Sequence, residues 1–94
     1  MSGEHSISTD TAWRPALDRS VVLRYDSVRE TDLLLMPERA VQLSGSGGRI
    51  LRLCDGSRTV AEIVAELTQA FPDAPLADEV PAFLERIRAE GWLR

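Results

Sequence analysis

The side chains that most often carry catalysis are scarce in this chain. Its 94 residues include one histidine, His5, and one cysteine, Cys54. Nucleophilic catalysis needs a base beside the nucleophile, and a metal site needs several ligands together. Cys54 lies among apolar residues at helical spacing, a pattern typical of a small core residue rather than a reactive thiol. The sequence therefore predicts a protein that is not an enzyme and that needs neither a metal nor a cofactor.

The other polar motifs do not predict a catalytic or nucleotide-binding site. Residues 44–49 (SGSGGR) contain three glycines but lack the GxGxxG and GxxxxGKS/T spacings of phosphate-binding loops. The net charge is −4 and every cation is an arginine, which argues against a general polyanion binder. Several carboxylates fall at helix positions typical of solvated charges or caps: Glu62, Glu66, Glu85 and Glu90.

Peptide recognition is a chemistry that needs no reactive side chain. An edge strand leaves N–H and C=O groups unpaired, and an extended peptide can add to it as a further strand. Residues 39–43 are a candidate, because no strand partner is evident on their far side. A helix nearer the C-terminus would form the other wall, with an apolar floor and a charged rim: Phe83, Ile87, Glu79, Arg86 and Glu90. Phe83 and Ile87 also fit a core stripe, and Arg86 also fits a solvated charge.

Three strands are predicted before position 44. Residues 21–26 alternate in polarity and have the β-branched and aromatic content of a half-buried strand. Residues 32–36 are apolar on both faces, which indicates a central strand or one that is covered twice. Pro37–Glu38 forms a tight turn into the strand at 39–43. The short links predict an antiparallel meander whose third strand is an edge.

Two helices are predicted in the middle of the chain. Ser44 is the expected N-cap of the first, although the glycines that follow it favour a start near Gly47. Thr59, three residues before Glu62, has the form of a capping box. It predicts a second helix over residues 60–70 that ends before the next proline.

A third helix completes the predicted fold. Its pattern begins at position 77 or 78 and ends at Glu90, and Gly91 provides the stop signal. Pro81 is acceptable only in the first turn and would otherwise kink the helix. The whole order predicts an α+β, winged-helix-turn-helix-like domain, in which a three-stranded antiparallel sheet is followed by three helices.

A winged-helix DNA-binding regulator is the alternative function. Such a protein places its second helix in the major groove and needs base-reading side chains there. The predicted second helix offers Gln69 alone, and its two glutamates would repel phosphate. Arg49, Arg52 and Arg58 lie beside this helix, so the alternative stays open.

The chain length fits one small domain. Residues 1–13 lack periodicity and are expected to be a disordered tail or an interdomain linker, whereas residues 14–94 form the domain. Trp13 is expected to pack on that domain, and His5 has no assigned role. There is no signal-peptide pattern and no apolar run of membrane length, so we expect a cytoplasmic protein. A monomer is expected in solution.

Several motifs together carry a family resemblance. They include residues 34–38 (LLMPE), 50–56 (ILRLCDG), 59–63 (TVAEI) and 91–93 (GWL). Their order and spacing resemble the PqqD family of pyrroloquinoline quinone biosynthesis. Relatives of that family are the recognition elements of other ribosomally synthesised and post-translationally modified peptide (RiPP) pathways. The resemblance covers residues 14–94, which it marks as a single peptide-recognition domain.

The resemblance implies a peptide chaperone without catalytic activity. Such proteins bind the precursor peptide PqqA and present it to the radical S-adenosylmethionine (SAM) enzyme PqqE, which cross-links a Glu and a Tyr of the peptide. In related domains the peptide adds beside the third strand and against the third helix. Carried over, the strand contacts are Ala40, Val41, Gln42, Leu43 and Ser44. Val41→Pro is then expected to abolish peptide binding.

Two points about partners stay open at this stage. The surface that meets PqqE could include Arg49, Arg52 or the region of Trp13, and nothing in the sequence ranks them. Members of the family are sometimes fused to another enzyme of the pathway, and residues 1–13 would suit such a junction.

Overall fold

The computed structural model describes residues 10–94, in which three strands precede three helices. The elements are β1 (Val22–Asp26), β2 (Thr31–Met36), β3 (Arg39–Leu43), α1 (Gly47–Arg52), α2 (Val60–Ala70) and α3 (Leu76–Ala89). The sheet is antiparallel in the order β1–β2–β3, so β3 lies at one edge. The predicted α+β fold, with its sheet followed by three helices, is confirmed.

The hydrophobic core joins one face of the sheet to all three helices. Leu34 of β2, Leu51 of α1, Ile63 of α2 and Leu84 of α3 are each less than 2% exposed. Cys54 belongs to the same core, and burial raises the pKa of its thiol to about 12. The thiol therefore stays protonated at neutral pH, as the prediction of a core residue requires.

The start of α1 differs from the predicted cap. Ser46, not Ser44, precedes the first helical residue, and its carbonyl accepts a hydrogen bond from the Ile50 amide at 3.0 Å. The reason is Gly45, whose φ of +61° turns the chain after Ser44. The predicted late start at Gly47 agrees with the structure.

Helix α3 begins earlier than the sequence pattern predicts. The Pro75 carbonyl accepts from the Glu79 amide at 3.0 Å, so Leu76 is already helical. Pro81 consequently lies in the second turn, not the first, where the helix lacks one amide donor. No helix within residues 10–94 has the length and apolar character needed to cross a membrane.

The capping box of α2 is present as predicted. The Thr59 hydroxyl accepts from the Glu62 amide at 3.1 Å, and the Glu62 carboxylate accepts from the Thr59 amide at 2.8 Å. The second bond lowers the pKa of the Glu62 carboxyl. The ionised Glu62 carboxylate therefore contributes its full share to the free energy of unfolding above its unfolded-state pKa. This contribution is lost as the pH falls through the lowered native pKa.

Loss of this cap gives a first testable expectation. Thr59→Ala should lower the free energy of unfolding by about 1 kcal/mol, because one amide of the first turn loses its acceptor. Urea denaturation at neutral pH measures the effect. Thr59→Ser keeps the hydroxyl and is the matched control. An alanine variant as stable as the serine variant would contradict the assigned cap.

The segment before β1 accepts two hydrogen bonds from the start of α2. The carbonyls of Thr11 and Trp13 accept from the Ala61 and Val60 amides at 3.2 and 2.9 Å. The Trp13 indole donates to the Arg94 carbonyl at 3.1 Å, so Trp13 packs on its own domain. Of the predicted tail, residues 1–9, including His5, lie outside the described residues.

Candidate functional site

An open cavity lies where the end of β3, the start of α1 and the middle of α3 meet. Its volume is about 480 Å³. The residues that line it come from these three elements and the loop between β3 and α1: Gln42, Leu43, Ser44, Ser46, Gly47, Ile50, Glu79, Ala82, Phe83 and Arg86. The cavity therefore adjoins the exposed edge of the sheet, which is the arrangement that strand addition needs.

Helix α3 presents one stripe of side chains to the cavity. Glu79, Ala82, Phe83 and Arg86 follow the i, i+3, i+4, i+7 spacing that places residues on one helix face. The Arg86 guanidinium carbon lies 5.8 Å from the centroid of the Phe83 ring. Glu79 and Arg86 are exposed, so this wall is a half-buried aromatic ring between charges of opposite sign.

The opposite wall is apolar and closely fitted. Ile50 and Leu43 are buried, and the backbone of Gly47 approaches Phe83. A Cβ at Gly47 would lie 3.2 Å from Phe83 Cζ. Glycine at this position keeps the space beside the aromatic ring open.

The direction of the edge hydrogen bonds follows from one contact. The Thr31 hydroxyl donates to the Leu43 carbonyl at 2.9 Å, so this carbonyl points toward β2. Backbone groups of successive residues in an antiparallel strand point alternately to the two sides. Val41 therefore also faces β2, while Ala40 and Gln42 direct their N–H and C=O groups to the free edge.

This alternation corrects the expectation for Val41→Pro. A proline at position 41 would remove a bond within the sheet rather than one at its edge. The positions at which an amide meets an incoming strand are 40 and 42.

Six of the ten predicted site residues line the cavity: Gln42, Leu43, Ser44, Glu79, Phe83 and Arg86. Ala40 and Val41 lie on the same strand but outside the lining, and Glu90 is the exposed C-cap of α3. Ile87 is only 8% exposed and belongs to the core, so its side chain packs inward.

Four lining residues were not predicted: Ser46, Gly47, Ile50 and Ala82. Ala82 carries a sequence signal, because it lies three residues after Glu79 on the same helix face. The other three line the cavity because α1 packs beside the end of β3, and sequence spacing alone does not specify that placement.

The arginines beside α2 are engaged within the domain. Arg52 pairs with Asp32, Arg58 pairs with Glu66 at 2.5 Å, and the Arg49 guanidinium carbon lies 5.0 Å from the Phe71 ring centroid. These contacts hold the cations that the DNA-binding alternative would require, and the surface of α2 itself carries Glu62 and Glu66.

One protein-family model matches most of the chain. The family model described as coenzyme PQQ synthesis protein D (PqqD) matches residues 33–93. The chain belongs to the PqqD family. The family resemblance in the sequence motifs is therefore confirmed.

Relatives within the PqqD family cover nearly the whole chain. A PqqA binding protein of Pseudomonas entomophila is 41% identical over 83 residues, which is 87% of each chain. A PqqA binding protein of Pseudomonas aeruginosa is 42% identical over 80 residues, which is 84% of this chain and 87% of that protein.

A solved structure supports the same fold. It is the solution NMR structure of the PqqD truncation of Methylobacterium extorquens PqqCD, described as a functional, stand-alone RiPP recognition element. It superposes with a TM-score of 0.74 at 33% identity and covers 94% of this chain and 96% of its own.

Proposed function

We propose that this domain is a non-catalytic peptide chaperone of pyrroloquinoline quinone biosynthesis, which binds the precursor peptide PqqA and presents it to the radical SAM enzyme PqqE. The observation that carries the proposal is the free edge of β3 beside the cavity. Membership of the PqqD family and the names of the relatives support the choice of PqqA as the peptide.

The proposed complex is a fourth strand added beside β3. The peptide backbone pairs with the outward groups of Ala40 and Gln42, and alternate peptide side chains enter the cavity. An apolar peptide side chain fits between Ile50 and Phe83, while Glu79 and Arg86 offer charges to its neighbours. The main-chain bonds supply affinity for any extended peptide, and the cavity supplies selectivity.

The core of the proposal is tested by an amide NMR titration. Addition of PqqA should shift the resonances of residues 39–44 and 79–86 saturably, whereas duplex DNA should shift none of them. Shifts produced only by DNA and centred on Arg49, Arg52 and α2 would overturn the proposal in favour of a DNA-binding regulator.

A bulky side chain that fills the cavity should weaken peptide binding. Ala82 is exposed and contributes to the lining, so the indole of Ala82→Trp occupies the space of a peptide side chain. We expect binding of labelled PqqA, measured by fluorescence anisotropy, to weaken by about tenfold, since one good pocket contact is lost.

Ala77→Trp is the matched control for this substitution. Ala77 is also exposed on α3 but does not line the cavity, so its variant should bind PqqA like the unaltered domain. Equal affinities of the two tryptophan variants would rule out the cavity as the peptide site.

A further inference from the structure

The side of the sheet that faces away from the helices carries an apolar patch. The strand register places Val22 opposite Leu35 and Leu35 opposite Ala40. It likewise places Arg24 opposite Leu33 and Leu33 opposite Gln42. Since cross-strand partners share a face, these residues form one surface, called the outer sheet face below: Val22, Arg24, Leu33, Leu35, Ala40 and Gln42.

The described part of the chain leaves this face uncovered. Leu34, on the opposite face, is fully buried. Leu33 and Leu35 are half-buried, but neither belongs to the hydrophobic core or to the apolar residues packed against it. Val22 is 50% exposed. Two leucines in the middle of a central strand are thus held near the surface without a layer of residues 10–94 above them. A contiguous, partly exposed apolar patch of this kind is typical of an interaction site.

We propose that the peptide-modifying enzyme docks on the outer sheet face. The enzyme's own contact surface is then apolar and places a carboxylate opposite Arg24. This inference rests on the proposed function, because it assigns the side of the chaperone that meets its enzyme. The contacts found for Trp13 and Arg52 agree with it, since both side chains are already engaged within the domain.

The charges on the outer sheet face favour docking of an enzyme over docking of a second copy of this chain. Among residues 10–94, Arg24 has no carboxylate within ion-pair distance. The carboxylate at the end of the same face, Asp26, is held by Arg29 at 3.1 Å and by the amides of Val28 and Arg29. Two copies packed face to face would therefore bury Arg24 without a counter-charge, which is costly. A partner that supplies a carboxylate removes this penalty.

The proposed peptide would extend this face. A strand added to β3 directs every second side chain to the outer sheet face, beside Ala40 and Gln42. An enzyme docked there touches both the sheet and the bound peptide, so it distinguishes a loaded chaperone from an empty one. Binding of peptide and binding of enzyme are then coupled, and each raises the affinity of the other.

The test uses Arg24→Glu and Leu35→Ser, with Val28→Ser as the matched control. Val28 is an apolar residue, 90% exposed, in the turn beyond this face. Binding of each variant to PqqE, alone and with saturating PqqA, is measured by biolayer interferometry, and PqqA affinity is measured separately by anisotropy. We expect Arg24→Glu and Leu35→Ser each to weaken enzyme binding about tenfold, with PqqA affinity within about twofold of normal. Val28→Ser should behave as the unaltered domain.

Three outcomes would overturn the assignment. They are normal enzyme binding by both folded variants, equal enzyme affinity of loaded and empty chaperone, or sedimentation showing that Leu35→Ser dissociates a dimer of this chain. Failure of the unaltered domain to bind PqqA is a separate result and would overturn the proposed function instead. Circular dichroism confirms that each variant is folded.

Discussion

Gln42→Pro is expected to weaken PqqA binding by about tenfold to a hundredfold and to leave the domain folded. The amide of Gln42 points to the free edge of β3, because the Leu43 carbonyl beside it faces β2. Proline removes that amide and places its ring where the added strand must approach. No hydrogen bond within the sheet is lost, and proline is tolerated at an edge position whose amide faces solvent.

Two control variants separate the amide from other effects. Gln42→Ala keeps the amide but removes the side chain, and its PqqA affinity isolates what the side chain contributes. Tyr25→Pro places a proline at the other edge of the sheet, where the register also directs the amide outward. It should bind PqqA normally. Calorimetric titration measures the PqqA affinity of all three variants. Normal affinity in a folded Gln42→Pro domain would rule out strand addition at β3.

Most of the secondary structure could be predicted from local patterns. Thr59 and Glu62 predict the start of the helix at residue 60, and the helix starts there because both hydrogen bonds of the capping box are made locally. Its end at residue 70 agrees with the stop expected before Pro72. The strand at 39–43 was predicted with its observed bounds, since a two-residue turn at Pro37–Glu38 leaves little freedom in register.

The cavity could be predicted only in part, because it depends on how distant elements pack. Phe83 and Arg86 were found through helical spacing, but the same stripe also suggested Ile87, which the core takes up instead. Whether a residue on an apolar stripe faces the core or a groove depends on the position of α1, and the sequence does not state that position. The direction of the Val41 amide, by contrast, follows from the predicted turn. A two-residue hairpin makes Met36 and Arg39 a hydrogen-bonded pair, and such pairs alternate along the ladder, so Val41 also faces β2.

Gly48→Ala is expected to be the most destabilising single methyl addition tested in this domain. A Cβ at position 48 would lie 1.9 Å from Asp32 Oδ2 and 2.8 Å from Asp32 Cβ. The carboxyl group can rotate away at the expense of its pairing with Arg52, but Cβ moves only with the strand backbone. Overpacking of this kind costs about 3 kcal/mol, a large fraction of the stability of a domain this small.

Gly47→Ala is a closely matched control for Gly48→Ala. Both variants replace adjacent glycines in the first turn of α1, so both gain the same helix preference for alanine. A Cβ at Gly47 would meet the edge of the Phe83 ring at 3.2 Å and Leu43 Cβ at an ordinary contact distance of 3.7 Å. Thermal unfolding should therefore show a large loss of Tm for Gly48→Ala and a small change for Gly47→Ala. Asp32→Ala in the Gly48→Ala background removes the two nearest atoms but leaves Cβ, and should restore part of the loss. If the two glycine variants melt at the same temperature, position 48 does not require close packing of α1 against β2. The placement of α1 beside the cavity then loses its main steric support.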